Sequence, residues 1–140
     1  MKYFSASSNI KASKEAIWKI LTDPARYPVW DPGVIRIEGK IAAGEKLVAY
    51  NKINPNRAFP ARVTEFIPGQ KMVWVGGMPF GLFKGVRSFT LAPKSDGTID
   101  FTLREEYSGP LLPMIGGSIP DLTKSFRDFV AGLKAQAEKA

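Results

Sequence analysis

The feature that most constrains this chain lies near its C-terminus. Across residues 115–137 the apolar side chains fall at Ile115, Ile119, Leu122, Phe126, Phe129, Leu133 and Ala137. Gaps of three and four residues put them on one stripe of an α-helix. Lys124, Arg127, Asp128, Lys134 and Glu138 fall off the stripe and are expected to face water. Ser118 is the expected N-cap, with Pro120 in the first turn and Asp121 near the positive end of the helix dipole. A helix of about 18 residues reaches roughly 27 Å. Its apolar stripe needs a cover, and the rest of the chain must supply it.

Strands make up most of what precedes. Residues 3–10 alternate, with Phe4, Ala6, Ser8 and Ile10 on one side. Ser13 caps a short helix over residues 14–21, with Glu15 in its first turn, Ile17, Ile20 and Leu21 buried and Trp18 at the margin. Asp23-Pro24 starts a second helical turn through residues 25–27, which Pro28 and Pro32 end. Strands follow over residues 34–41, 46–51, 58–67, 71–75, 85–92 and 98–107, with turns at 42–45, 54–56, 68–69 and 94–97. Strands in close succession with short turns make a curved antiparallel sheet. The expected fold is α+β: seven antiparallel strands wrapped around a long C-terminal helix, with two short helices after the first strand. A length of 140 residues suits a single domain spanning residues 1–140.

Residues 16–32 read Ala-Ile-Trp-Lys-Ile-Leu-Thr-Asp-Pro-Ala-Arg-Tyr-Pro-Val-Trp-Asp-Pro. A helix bearing Trp18 thus leads through Thr22-Asp23 and Tyr27-Pro28 to Trp30. Further along come Glu38-Gly39 and Gly44, Trp74 followed by Gly76, and Arg104-Glu105-Glu106-Tyr107-Ser108-Gly109. This ordered set resembles the START/polyketide-cyclase (SRPBCC) superfamily over essentially the whole chain. The resemblance implies the helix-grip fold, and a cavity between sheet and helix that binds apolar small molecules. Pro120 departs from it, because such proteins usually continue their last helix there. The chain between Leu111 and Ser118 is therefore expected to be irregular or kinked.

Absences narrow the chemistry. The chain has no His and no Cys, which excludes a Ser-His-Asp triad, a Cys-His pair and a zinc site built on thiolate or imidazole. Glu105 and Glu106 are strand neighbours that point to opposite faces, and no carboxylates have metal-ligand spacing. No glycine fingerprint for a dinucleotide follows a strand and opens a helix. Gly76 and Gly81 have phosphate-loop spacing, but Leu82-Phe83 stands where Lys-Ser/Thr is needed. No metal and no cofactor are expected. The net charge is +7, yet the twenty Lys and Arg residues are spread singly, so a solvated surface is expected and nucleic acid is not. The N-terminal stretch lacks the long apolar core of a signal peptide, and no run is long enough to cross a bilayer. With no cysteine, a reducing, cytoplasmic setting fits, for a monomer or homodimer.

Strand alternation picks out the candidate site. Ile99, Phe101, Leu103, Glu105 and Tyr107 share one face of their strand, as do Arg87, Phe89 and Leu91 of theirs. A hairpin turn centred on Ser95-Asp96 sets Leu91 opposite Phe101, Phe89 opposite Leu103 and Arg87 opposite Glu105. Opposed residues have Cβ atoms about 5 Å apart. A charge among apolar side chains is costly unless paired, so Arg87 and Glu105 are expected to form the polar anchor of a pocket, with Tyr107 nearer its rim. The alternative is a solvated pair at the open end of the sheet. Residues 76–85, with Met78, Phe80, Leu82 and Phe83 among four glycines and a proline, suit a lid; a dimer interface or an edge folded onto the core are the alternatives. Trp30, Trp74, Phe126, Phe129 and Val130 are further lining candidates, with Met114 and Ile115 near the entrance to the last helix. Plain core packing explains Trp30, Trp74, Phe126, Phe129 and Val130 at least as well.

The function read from this pattern is binding of a hydrophobic or aromatic small molecule, for carriage, sequestration or sensing. The first alternative is a polyketide cyclase or dehydratase with Glu105 as base, Arg87 as oxyanion stabiliser and Tyr107 as proton donor. A neighbouring arginine works against that base by holding its charge. The second alternative is a module that meets membranes or proteins through its basic surface and residues 78–83.

Overall fold

The computed structural model describes residues 2–115, 117 and 119–139. Strands β1 (Lys2–Ile10), β2 (Val34–Gly39), β3 (Lys46–Asn51), β4 (Ala58–Ile67), β5 (Lys71–Gly77), β6 (Lys84–Pro93) and β7 (Ile99–Ser108) form one antiparallel sheet in the order β1-β7-β6-β5-β4-β3-β2. Between β1 and β2 lie α1 (Lys14–Leu21), a 3-10 turn (Pro24–Arg26) and α2 (Tyr27–Trp30). Beyond β7 come α3 (Leu112–Ile115) and α4 (Thr123–Glu138). The sheet curls around α4, whose Phe126, Phe129, Val130, Leu133 and Ala137 are all buried. This is the α+β helix-grip arrangement that the sequence pattern implies.

Most elements form for local reasons. Ser13 caps α1 by accepting the Ala16 N–H at 3.1 Å, and Ile17 and Leu21 fill the space beneath. Along β1 the even-numbered residues turn inward and the odd ones outward, so its pleat delivers Phe4, Ala6, Ser8 and Ile10 to α4.

Other boundaries differ from expectation. The long helix starts at Thr123, not near Ser118, which lies outside the described residues. Asp121 acts as a cap from outside the helix, its Oδ1 accepting the Thr123 N–H at 2.9 Å. Pro120 has no N–H to offer and biases Ile119 away from helical angles. Ile119 and Leu122 therefore precede the helix, and the stretch between Leu111 and Ser118, anticipated as irregular or kinked, contains α3. Pro28 lies inside α2, in its first turn, where a proline is tolerated. Asp23 makes no capping bond. The glycine-rich connection is also shorter than expected. Gly76 and Gly85 pair within the β5–β6 ladder, which leaves residues 78–83 as the loop.

One contact decides how α4 sits. A Cβ on Gly132 would lie 1.8 Å from the Trp30 carbonyl oxygen. The bare backbone there lets α4 press directly against the end of α2 and seats Trp30 edge-on to Phe129, with ring centroids 4.9 Å apart.

Candidate functional site

The strand register brings one polar row across the inside of the sheet. Trp74 on β5 faces Arg87 on β6, Arg87 faces Glu105 on β7, and Glu105 faces Phe4 on β1. The β6–β7 pairing is the one expected from the turn, with Leu91 opposite Phe101 and Phe89 opposite Leu103. Arg87 Nε lies 3.2 Å from Glu105 Oε1, and the two side chains keep 25% and 16% of their surface exposed. The pair therefore faces inward, close enough to the open end of the sheet to stay partly wet. Tyr107, two residues nearer that end, donates its O–H to Glu105 Oε2. Both oxygens of Glu105 are thus engaged, one by a cation and one by a phenol.

Aromatic rings enclose this row. The Arg87 guanidinium lies 5.1 Å from the centre of the Phe126 ring, where a cation is attracted by the π face. Phe4 packs on Phe126 and meets Tyr107 edge to face, and Phe83 covers Tyr107 from the loop side at 5.8 Å. Burial, helped by the negative charge of Glu105 beside it, pushes the Tyr107 phenol far above its ordinary value. It therefore acts as a donor. Burial alone would lower Arg87, but the charge of Glu105 and the bond to it, with smaller help from Tyr107 and Asp31, raise it.

Asp31 and Tyr27 were not singled out from the sequence. Asp31 is the buried charged residue of the described chain, 8% exposed, and its Oδ1 accepts the Gly33 N–H at 3.0 Å. Burial raises its carboxyl, against the lowering effect of that bond and of the Arg87 charge. Tyr27 is fully enclosed and donates its O–H to the Leu21 carbonyl at 2.6 Å. Both lie in the Tyr-Pro-Val-Trp-Asp-Pro stretch on which the family resemblance rests. That resemblance was the signal available for them.

The other candidates divide into two groups. Trp30, Trp74, Phe89, Phe101, Leu103, Phe129 and Val130 are buried and pack on one another. Trp74 meets Phe89 at 4.6 Å, and Phe101 stacks on Phe129. These residues form the closed floor beneath the polar row. Within it, the indole N–H groups of Trp30 and Trp74 are buried without a hydrogen-bond partner. Met78, Phe80 and Met114 lie outside, exposed at the open end. The loop over residues 78–83 folds back on the exit of β7. Met78 N–H bonds the Phe83 carbonyl at 2.8 Å, and Leu111 N–H bonds the Leu82 carbonyl at 3.0 Å. Two grooves open on the outer surface. One, about 560 Å³, lies between α2 and α4; the other, about 270 Å³, lies between α1 and the Pro68-Gly69 turn. Neither is lined by Arg87, Glu105 or Tyr107.

The family described as polyketide cyclase / dehydrase and lipid transport matches residues 1–138. The chain belongs to this family. No curated protein sequence matches it. Among solved structures, a hypothetical protein from Helicobacter pylori superposes with a TM-score of 0.79 at 13% identity, covering 97% of this chain and 88% of that one. A START superfamily protein from Mycobacterium smegmatis gives a TM-score of 0.71 at 16% identity, covering 98% and 97%. The Zhui aromatase/cyclase from Streptomyces sp. R1128 gives 0.74 at 9% identity, covering 99% and 94%. At such identities the likeness is one of fold, and it is the START-like helix-grip. Family and fold together fit binding of hydrophobic small molecules in general. Among the described residues, no helix is long and apolar enough to cross a membrane.

Proposed function

We propose that this protein binds a hydrophobic or aromatic small molecule between its sheet and α4, with the polar end of the ligand at Arg87 and Tyr107. The observation that carries this reading is the Arg87–Glu105–Tyr107 row, half-buried at the open end and bordered by Phe4, Phe83 and Phe126. Carriage or sequestration suits it better than catalysis, because both oxygens of Glu105 already accept hydrogen bonds, from Arg87 and from Tyr107. Entry requires movement, since the floor beneath the row is closed. Residues 78–83 are the segment to move, with Gly77, at φ 133°, as the hinge.

The test is native mass spectrometry of the protein as purified, followed by denaturing extraction. One apolar molecule per chain, lost in a folded Arg87→Leu variant, is the expected result. An empty protein that also fails to enhance the fluorescence of 1-anilinonaphthalene-8-sulfonate would overturn the reading. Turnover of a model polyketide that Glu105→Gln abolishes would favour the cyclase alternative.

A further inference from the structure

Six of the nine large apolar side chains left exposed among the described residues gather at one end of the sheet. Ile53 belongs to the β3–β4 connection and Phe59 to the start of β4, Met78, Phe80 and Leu82 belong to the β5–β6 connection, and Met114 to α3. The register places all three segments together. Tyr50 pairs with Ala58, Gly77 with Lys84 and Lys84 with Ser108, so both hairpin loops and the exit of β7 leave the sheet on the same side. The opposite end differs: of the nine, only Ile67 is there.

Phe80 is the extreme case. Its side chain is 99% exposed, and its backbone sits at φ 60°, the left-handed region that bulky residues avoid. The turn is held by the Met78–Phe83 and Leu82–Pro79 backbone bonds. No ring contact within the described chain offsets the cost of presenting an aromatic ring to water in a strained conformation. Such strain at an exposed tip points to a partner outside the chain. Met114, 79% exposed, stands on α3, which follows directly from the backbone bond between Leu111 and Leu82.

Charge selects the partner. Residues 52–59 carry Lys52 and Arg57 and no acid, and residues 77–85 carry Lys84 and no acid. In residues 109–122 the one acid is Asp121, whose carboxylate is turned onto the Thr123 N–H. The turns at the far end carry both signs, with Lys40, Lys46 and Lys94 beside Glu45 and Asp96. We propose that this end of the molecule docks on an anionic lipid bilayer, with Phe80, Met78 and Met114 entering the interface and Lys52, Arg57 and Lys84 resting on the headgroups. Short apolar tips ringed by cations match such a surface. A second copy of the chain matches it less well, because a two-fold contact would bring the same cations from both sides with no acid of these two loops to meet them. The docked end is also the open end of the grip, so a bound bilayer would face residues 78–83 directly.

Vesicle co-sedimentation tests the proposal, using phosphatidylcholine vesicles with and without phosphatidylglycerol. The protein is expected to bind only vesicles that contain phosphatidylglycerol, and to leave them as salt rises. Phe80→Ser should weaken binding about tenfold, the loss expected for one aromatic side chain removed from an apolar phase. Lys84→Glu should weaken it about fivefold or more. Both side chains are exposed, so both variants should melt as the parent does. Protein that stays in the supernatant at low salt overturns the proposal, as does vesicle binding that Phe80→Ser leaves unchanged. A dimer in sedimentation velocity that Phe80→Ser dissociates, with no vesicle binding, would overturn it in favour of a second copy. The assay reads docking alone, so its outcome is separate from that of the ligand-binding test.

Discussion

Arg87 and Glu105 show why the loss of one partner costs more than the pair contributes. Together they satisfy each other among Phe4, Trp74 and Phe126. Glu105→Leu would leave a guanidinium there without its counter-charge, and should destabilise by roughly 2–3 kcal/mol, below the full cost for a completely buried ion because the site is partly wet. Adding Arg87→Met should recover most of that loss. Urea denaturation of the two single variants and the double variant gives the coupling; additive losses would mean that the pair is solvated and inert. Asp31 makes the complementary case. Its carboxyl is raised in the folded state, chiefly by burial, so the fold holds that proton more tightly than the unfolded chain does. The stability this contributes is complete below the ordinary value of 3.8 and is lost as pH rises through the raised one. Asp31→Asn keeps an acceptor for Gly33 and removes the charge. It should therefore melt higher than the parent at neutral pH and converge with it in acid. A gap that widens in acid would refute the burial account.

Among the elements, α4 carries the sharpest test because two effects oppose each other at Gly132. Helix propensity alone favours Gly132→Ala by about 1 kcal/mol. Steric contact with the Trp30 carbonyl opposes it, since the new methyl would sit 1.8 Å from that oxygen. Contact should win, with a net loss of about 3 kcal/mol or more by thermal denaturation; a stabilised variant would mean that α4 moves away without penalty. Gly132 also marks what the sequence could and could not convey. Periodicity reported Phe126, Phe129, Leu133 and Ala137 because side chains repeat at the helical spacing. It had nothing to report at a residue whose role is to have no side chain. The β6–β7 register was legible because a short turn at residues 94–97 leaves little freedom in pairing, and Arg87 met Glu105 as expected. The start of α4 was not. Ser118, Pro120 and Asp121 all carry helix-start chemistry, and the bond from Thr123 N–H to the Asp121 carboxylate, which sets the boundary, is a matter of side-chain geometry.

Considered as a whole, the molecule has two unequal ends. Legibility ran out here too, because alternation assigns a residue to a face but does not say whether that face encloses space or packs solid. Phe89, Phe101 and Leu103 point inward as expected, and all three are completely enclosed by neighbours. If the grip admits a ligand, the end to open is the one where residues 78–83 are tied by backbone bonds to one another and to Leu111. Hydrogen exchange reads this directly. The amides of Met78, Leu82 and Leu111, bonded only within and beside the loop, should exchange roughly a hundredfold or more faster than those of Phe101 and Leu103 in the centre of β7. Saturation with 1-anilinonaphthalene-8-sulfonate should slow the loop amides and leave the centre unchanged. Loop amides as well protected as the centre would mean that the grip stays closed, and a ligand would then have to enter elsewhere. Slowing confined to α2 and the centre of α4 would place the probe in the outer groove beside Trp30 and Gly132, leaving the polar row without a ligand.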